Sequence, residues 1–392
     1  MNIAAPGYGF PNPERLFPYS QVDFTIDIMI STRFVIGNVI CVVKHTLEGK
    51  LEMKKIVLKI QGGFIMAEAR RNGVLTEFNI PWIEQRADPY VYRHTDGSYY
   101  FTASVPAYDK IVLRKASTLN GLRDAEETVV WTKHESGEMS RHIWAPELHY
   151  LFGKWYIYFA AGEQDDMWKI RPFVLECQSD DPMAGPWVEK GKMQRSDDDI
   201  YSFEAFSLDA TIFENKGEYY YIWAEKVSVG IQISNLYIAK MESATKLCTA
   251  QVLLTTPDYD WERVDIWVNE GPAIIKKDGR IFMAYSASAT GECYCVGLMS
   301  IDENEDILDP KAWKKERYPV LCSDREKGFY GPGHNSFTKD ENGEDVCVFH
   351  ARTYLEIEGD PLYDPNRHAM LMKVTWDEKG YPVFDYKNMV KF

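Results

Sequence analysis

The chain of 392 residues is short of positive charge: 44 Lys and Arg stand against 59 Asp and Glu, a net charge of −15 at pH 7. Nucleic acids and anionic membrane surfaces are held by clustered Lys and Arg, so neither is an expected partner. Long apolar runs are lacking near the N-terminus, where the longest, Phe34–Val43, is too short to span a bilayer. Arg33 precedes that run, but Lys44-His45-Thr46 follows it in place of the small residues of a signal-peptide cleavage site. The seven cysteines cannot all pair, and no second close pair joins Cys293 and Cys295 in a zinc pattern. Reduced thiols are the simpler reading, and with no credible signal peptide they predict a cytoplasmic protein. A glycine-rich phosphate loop, a Gly-x-Ser-x-Gly elbow and a His-Glu-x-x-His helix are all missing. Asp197-Asp198-Asp199 lacks the spacing of a calcium loop.

Tryptophan is absent before Trp82, so all 11 lie downstream. The segment Met1–Ile65 also differs in charge, with seven basic residues against five acidic ones. Gly62-Gly63-Phe64-Ile65-Met66 is what a purine-rich ribosome-binding site, a spacer and a start codon encode when read through in frame. The expected organisation is therefore an N-terminal extension over 1–65 that is not native, a lead-in over 66–79 and one domain over 80–392. Peptides from before Met66 in protein from the native host would contradict that start.

What the chain has in excess is aromatic residues, 24 Tyr and 19 Phe beside the Trp. Many fall in a unit that occurs five times. A polar start leads into period-2 apolar alternation, then a Gly turn, then a strand rich in Tyr, Phe and Trp. The turn glycines Gly97, Gly153, Gly217, Gly279 and Gly343 recur about every 60 residues. Each unit reads as a hairpin with further short strands behind it, such as Ile111–Arg114, Phe173–Cys177, Leu236–Ala239, Tyr294–Met299 and Ala369–Val374. Long amphipathic helical patterns are scarce. The prediction is an all-β fold, a five-bladed β-propeller.

In a propeller the innermost strand of each blade lines a central channel, and the strand starts meet at one mouth. The residues opening the five hairpins are Asp88, Glu147, Asp209, Glu270 and His334. Four carboxyl groups brought together repel when ionised, so at least one should hold its proton towards neutral pH. That separation of protonation states is what acid–base catalysis uses.

The motifs at these positions are Ala87-Asp88-Pro89, Trp144-Ala145-Pro146-Glu147, Leu208-Asp209-Ala210 and Asn269-Glu270-Gly271-Pro272. With Gly333-His334-Asn335-Ser336 and His350-Ala351-Arg352 they resemble glycoside hydrolase family 43, over the chain from about Ile80 onward. The resemblance implies an inverting glycosidase. Asp88 would be the general base that activates water, Glu270 the general acid and Asp209 the modulator of the acid's pKa. Inversion leaves room for a water, with the two working carboxyl groups about 6.5–9.5 Å apart. Arg352 would contact sugar, and Trp144 and Glu147 are further substrate-side candidates. His334 would sit near the axis, where it can hold a water or a cation such as calcium; no cofactor is required. Arg141–Tyr150, Gly153–Gly162, Phe206–Thr211 and Phe349–Thr353 resemble the exo-acting α-L-arabinofuranosidase members. The expected substrate is a neutral oligosaccharide with terminal α-L-arabinofuranosyl groups. A β-D-xylosidase or bifunctional enzyme, and a non-catalytic sugar-binding propeller, are the alternatives. Oligomeric state is not legible.

Overall fold

The computed structural model describes Thr76, residues 78–227 and 233–392, and four short strands closer to the N-terminus. The chain divides into two units, Met1–Ala69 and Arg70–Phe392. In the first, Val35–Ile36 pairs with Val39–Ile40, and Ile56–Ile60 pairs with Gly63–Ala67, both antiparallel. The rest of the extension expected over 1–65 lies outside the described residues.

The second unit is all-β, with four short 3-10 turns. It is built as five antiparallel meanders in chain order. Their first strands are Ala87–Arg93, Arg141–Leu151, Ser207–Asn215, Trp267–Lys277 and Tyr330–Lys339. Their second strands are Tyr99–Ser104, Lys154–Gly162, Glu218–Val227, Arg280–Ala287 and Asp345–Arg352. Third strands follow at Lys110–Ala116, Arg171–Cys177, Ile233–Ser243, Cys295–Asp302 and His368–Lys373, at the places expected from the sequence. The third and fourth meanders touch through a two-residue parallel contact, Ile233 with Trp267 and Ser234 with Val268.

The five repeat glycines sit in the hairpin turns at positive φ, from 76° to 87°. A Cβ added at four of them would meet nothing within 4 Å, and at Gly279 it would make only ordinary contact. The turn therefore requires glycine through backbone conformation rather than through space.

Packing follows from the period of 2. Alternate side chains of each meander face its two neighbours, and a separate apolar cluster fills each interface. Tyr100, Ile111 and Ile157 join the first meander to the second, and Tyr158, Tyr221 and Ala239 the second to the third. Ile222, Ile238 and Met283 continue to the fourth, and Phe282, Val296 and Phe349 to the fifth. Phe101, Val348 and Leu371 join the fifth to the first. The aromatic second strands thus serve mainly as core, each buried ring worth about 1.5–3 kcal/mol. Each first strand touches the next, and the fifth touches the first. Trp82 and Ile83, which enter the first meander, exchange backbone hydrogen bonds with Ala369 of the fifth.

Candidate active site

The five first strands share one irregularity. Each carries one extra residue near its start, just past its pairing with Ser104, Ala160, Ala224, Ser286 or His350, so that two residues oppose one. The first residue of each bulge has positive φ: Asp88 (53°), Ala145 (45°), Asp209 (53°), Gly271 (53°) and His334 (42°). Four of these are not glycine, and such strain gathers where a side chain must be aimed. This register corrects the set of hairpin-opening residues. Asp88, Asp209 and His334 are true equivalents. Glu270 stands one residue before its bulge, at the place Trp144 holds in the second meander. Glu147 stands two residues after Ala145, equivalent to Tyr90 and Thr211, and so lies further along the strand.

The bulges are held by their neighbours. The Asp88 backbone N–H donates to His350 Nδ1 at 3.1 Å, and the Ala145 N–H to Ser104 Oγ at 2.8 Å. The His334 N–H donates to Ser286 Oγ at 2.7 Å. In each case the acceptor is on the second strand of the preceding meander, so the positions of the site residues depend on how the meanders dock.

Asp88, Trp144, Asp209, Glu270 and His334 line one cavity of about 600 Å³, with Trp168, Phe206, Tyr294, Leu362 and Arg367. Three of the four carboxyl groups expected to meet, Asp88, Asp209 and Glu270, therefore share one chamber, and Glu147 does not. Their surroundings differ. Ser104 Oγ donates to Asp88 Oδ2 at 2.6 Å, while Asp88 Oδ1 lies 3.3 Å from His334 Nδ1, 3.3 Å from His350 Nδ1 and 3.6 Å from Arg367 Nη1. Burial pushes the Asp88 carboxyl up, but His334, Arg367 and His350 outweigh it and hold the group well below the usual carboxylate range. Burial pushes His334 down and His350 down to about 3. Both are then mainly neutral near pH 7, and Arg367 is the lasting positive charge beside Asp88.

Glu270 shows the opposite trend. Burial, with Asp88 adding repulsion, raises it to about 7, although the Tyr294 hydroxyl donates to its Oε1 at 2.8 Å. Asp209 is also raised, by burial first and then by Glu270 and Asp88. The Asp209–Glu270 pair resists carrying two negative charges in one buried site. One carboxylate is thus fixed as an anion and another holds a proton near neutrality.

The remaining expected residues lie elsewhere. Glu147 is outside the cavity lining and is paired with His149 Nε2 at 2.8 Å. Arg352 also lies outside the lining. It is fully buried, donates to the carbonyls of Thr290 (2.7 Å) and Pro361 (2.6 Å), and faces Asp364 at 3.3 Å. It braces the loop carrying Leu362. The arginine in the cavity wall is Arg367, whose Nη2 donates to the Tyr108 hydroxyl at 2.5 Å. Arg367, Tyr294, His350 and Ser104 were not singled out from sequence. His350 opens the His-Ala-Arg motif, yet only its arginine drew notice, and Tyr294 was hidden between two cysteines. Arg367 stands just before the third strand of the fifth meander and carries no local signal. Among the described residues, the buried Trp144 Nε1 and Arg367 Nε have no hydrogen-bond acceptor.

Among the described residues no three His, Cys, Asp or Glu side chains gather as a metal site. Asn335, beside His334, has both amide atoms buried without partners. No described helix is long and apolar enough to cross a membrane.

Residues 78–382 match the sequence profile of Glycosyl hydrolases family 43. The chain is 47% identical over 308 residues to an extracellular exo-α-(1→5)-L-arabinofuranosidase of Streptomyces avermitilis, covering 78% of this chain and 63% of that protein. An enzyme of the same name from Streptomyces chartreusis is 49% identical over 282 residues, covering 72% and 84%. The crystal structure of α-L-arabinofuranosidase from Lactobacillus brevis superimposes with a TM-score of 0.74 at 48% identity, over 80% of this chain and 98% of that one. The two Streptomyces proteins are named extracellular, which points to secretion and overturns the cytoplasmic expectation. Of the free thiols, Cys177, Cys295 and Cys347 are buried, which shields them from oxidants in any surroundings, whereas Cys248 and Cys322 are exposed. On the profile match and these identities, the chain belongs to glycosyl hydrolase family 43.

Proposed function

We propose that this protein is an inverting, exo-acting α-L-arabinofuranosidase that removes terminal L-arabinofuranosyl groups from arabino-oligosaccharides or arabinoxylan fragments. The observation that carries the reading is the opposite protonation of Asp88 and Glu270 across one cavity. Asp88, held as an anion by Arg367 and by the hydrogen bond from Ser104, takes a proton from water as that water attacks the anomeric carbon. Glu270 gives its proton to the leaving glycosidic oxygen. Asp209 is raised by burial and by the charge of Glu270, so the two carboxyl groups titrate together. Trp144 and Arg367 line the cavity beside the carboxyl groups and bound the space for the sugar. Glu147 acts from outside the cavity, through its negative charge on Asp209 and His334.

The scaffold we propose is a five-bladed β-propeller, supported by the five apolar interfaces and by the contact of the fifth first-strand with the first. A calcium ion beside His334 is a further part of the proposal. His334 and Asn335 would hold it through water, and its chemistry would be to fix charge and hydration near the axis.

The names of the relatives and the likeness to an arabinofuranosidase structure favour arabinose over xylose. Nitrophenol release from the α-L-arabinofuranoside and from the β-D-xyloside tests the choice. Faster release from the arabinofuranoside is expected, whereas faster release from the xyloside moves the assignment to a β-D-xylosidase. Release from neither, with no arabinose freed from arabino-oligosaccharides, leaves a sugar-binding propeller.

A further inference from the structure

The rim of the cavity holds a tryptophan that the chemistry above does not use. Trp168 lines the cavity yet is 47% exposed, whereas Trp144 is 7% exposed. The two indoles lie 6.1 Å apart, with the His142 ring stacked on Trp144 at 4.3 Å and tilted against Trp168 at 4.9 Å. An aromatic wall thus runs from the buried floor of the cavity to its mouth.

The outer end of that wall is held in place. His142 Nδ1 bonds to the Met167 carbonyl at 3.0 Å, and the Tyr363 hydroxyl donates to His142 Nε2 at 3.1 Å. One imidazole therefore ties the loop of the second meander to the loop between the second and third strands of the fifth. The Trp168 backbone N–H donates to Asp166 Oδ1 at 3.0 Å, and Lys169 pairs with Glu163 at 2.9 Å. The Met167 carbonyl packs so closely on Gly162 that a Cβ there would lie 2.3 Å from it. A large apolar ring is presented to solvent on a braced loop, which is how an aromatic platform is built without an ordering cost on binding.

We propose that Trp168 is the stacking platform for the second sugar, the unit that leaves with the glycosidic oxygen. This rests on the hydrolytic reading of the site. The three carboxyl groups are buried, so the sugar being cleaved occupies the inner end. The rest of the oligosaccharide must pass the mouth, where Trp168 is the exposed aromatic on the wall continuous with Trp144. The C–H face of a furanose ring matches the indole face, and the ring's hydroxyl edge stays in water.

Steady-state kinetics on α-1,5-linked arabinotriose and on methyl α-L-arabinofuranoside, which has no second sugar, tests this. For Trp168→Ala the KM for arabinotriose should rise about five- to tenfold with kcat within twofold, while rates on the methyl glycoside stay at the wild-type level. Trp168→Phe should recover most of the loss. An unchanged KM for arabinotriose, or an equal fall on both substrates, overturns the proposal. If the wild type hydrolyses neither sugar, the hydrolytic reading fails instead. Calorimetric titration of arabinotriose into wild type and Trp168→Ala then decides the platform alone: weaker binding by the variant supports it and equal binding overturns it.

Discussion

The Tyr294 hydroxyl donates to Glu270 Oε1 at 2.8 Å, while the Tyr294 ring lies flat on His350 at 5.6 Å and 4°. The bond favours the ionised form of Glu270 and opposes the burial that raises it. Tyr294→Phe should therefore move the Glu270 pKa upward. The alkaline limb of kcat/KM, set near pH 7 in the wild type, should shift to higher pH, with a fall in kcat of about tenfold or less. A pH–rate profile of the variant checks this, and a shift to lower pH would contradict it.

Stability should carry the signature of the same group. A carboxyl group at about 7 in the folded chain and near 4.5 in the unfolded chain binds more protons when folded. Folding therefore loses free energy as pH rises from about 4.5 to 7, and the full cost, on the order of 3 kcal/mol, stands above that window. Glu270→Gln removes the cost. The variant should melt above the wild type at pH 8 and level with it near pH 4, as differential scanning calorimetry would record. Its activity should be lost throughout.

Asp88 has the reverse linkage. Its depressed pKa contributes stability above the ordinary Asp range and loses it as pH falls well below that range. Asp88 itself should impose no acid limb on activity between pH 5 and 7. Asp88→Ala should lower kcat by at least about 10³-fold on any glycoside, since water then has no base. Ser104→Ala, which removes one hydrogen bond to Asp88 Oδ2, should cost far less, about tenfold.

Arg352 separates a structural arginine from a sugar-binding one. Arg352→Ala would strand the Thr290 and Pro361 carbonyls and leave Asp364 without its cation. A loss of about 3–5 kcal/mol in chemical denaturation is expected. Arg367→Met should instead act on the reaction, raising the Asp88 pKa and bringing an acid limb into the pH profile.

Much of this architecture was legible because it repeats. The glycine turns and the period-2 alternation mark all five hairpins in the sequence, and the structure adds that the aromatic second strands serve mainly as core. Asp88, Asp209 and Glu270 were found because each opens a repeat. What escaped was set by register and by long-range docking. A bulge of one extra residue is invisible in a hydrophobic pattern, so the sequence aligns Glu147 with Asp88 where the register makes Ala145 the equivalent. Ser104, His350 and Arg367 reach the site only through packing between neighbouring meanders, and their local sequence is that of ordinary strands. Arg352 and Arg367 are both buried, and only tertiary contact tells the brace from the cavity wall.

Proton NMR of the first sugar released from an α-L-arabinofuranoside tests the central claim directly. Attack by a water held at Asp88, with Glu270 protonating the leaving oxygen, gives β-L-arabinofuranose first, followed by slow mutarotation. First appearance of the α anomer would mean a covalent intermediate, and the assignment of Asp88 as base and Glu270 as acid would be wrong.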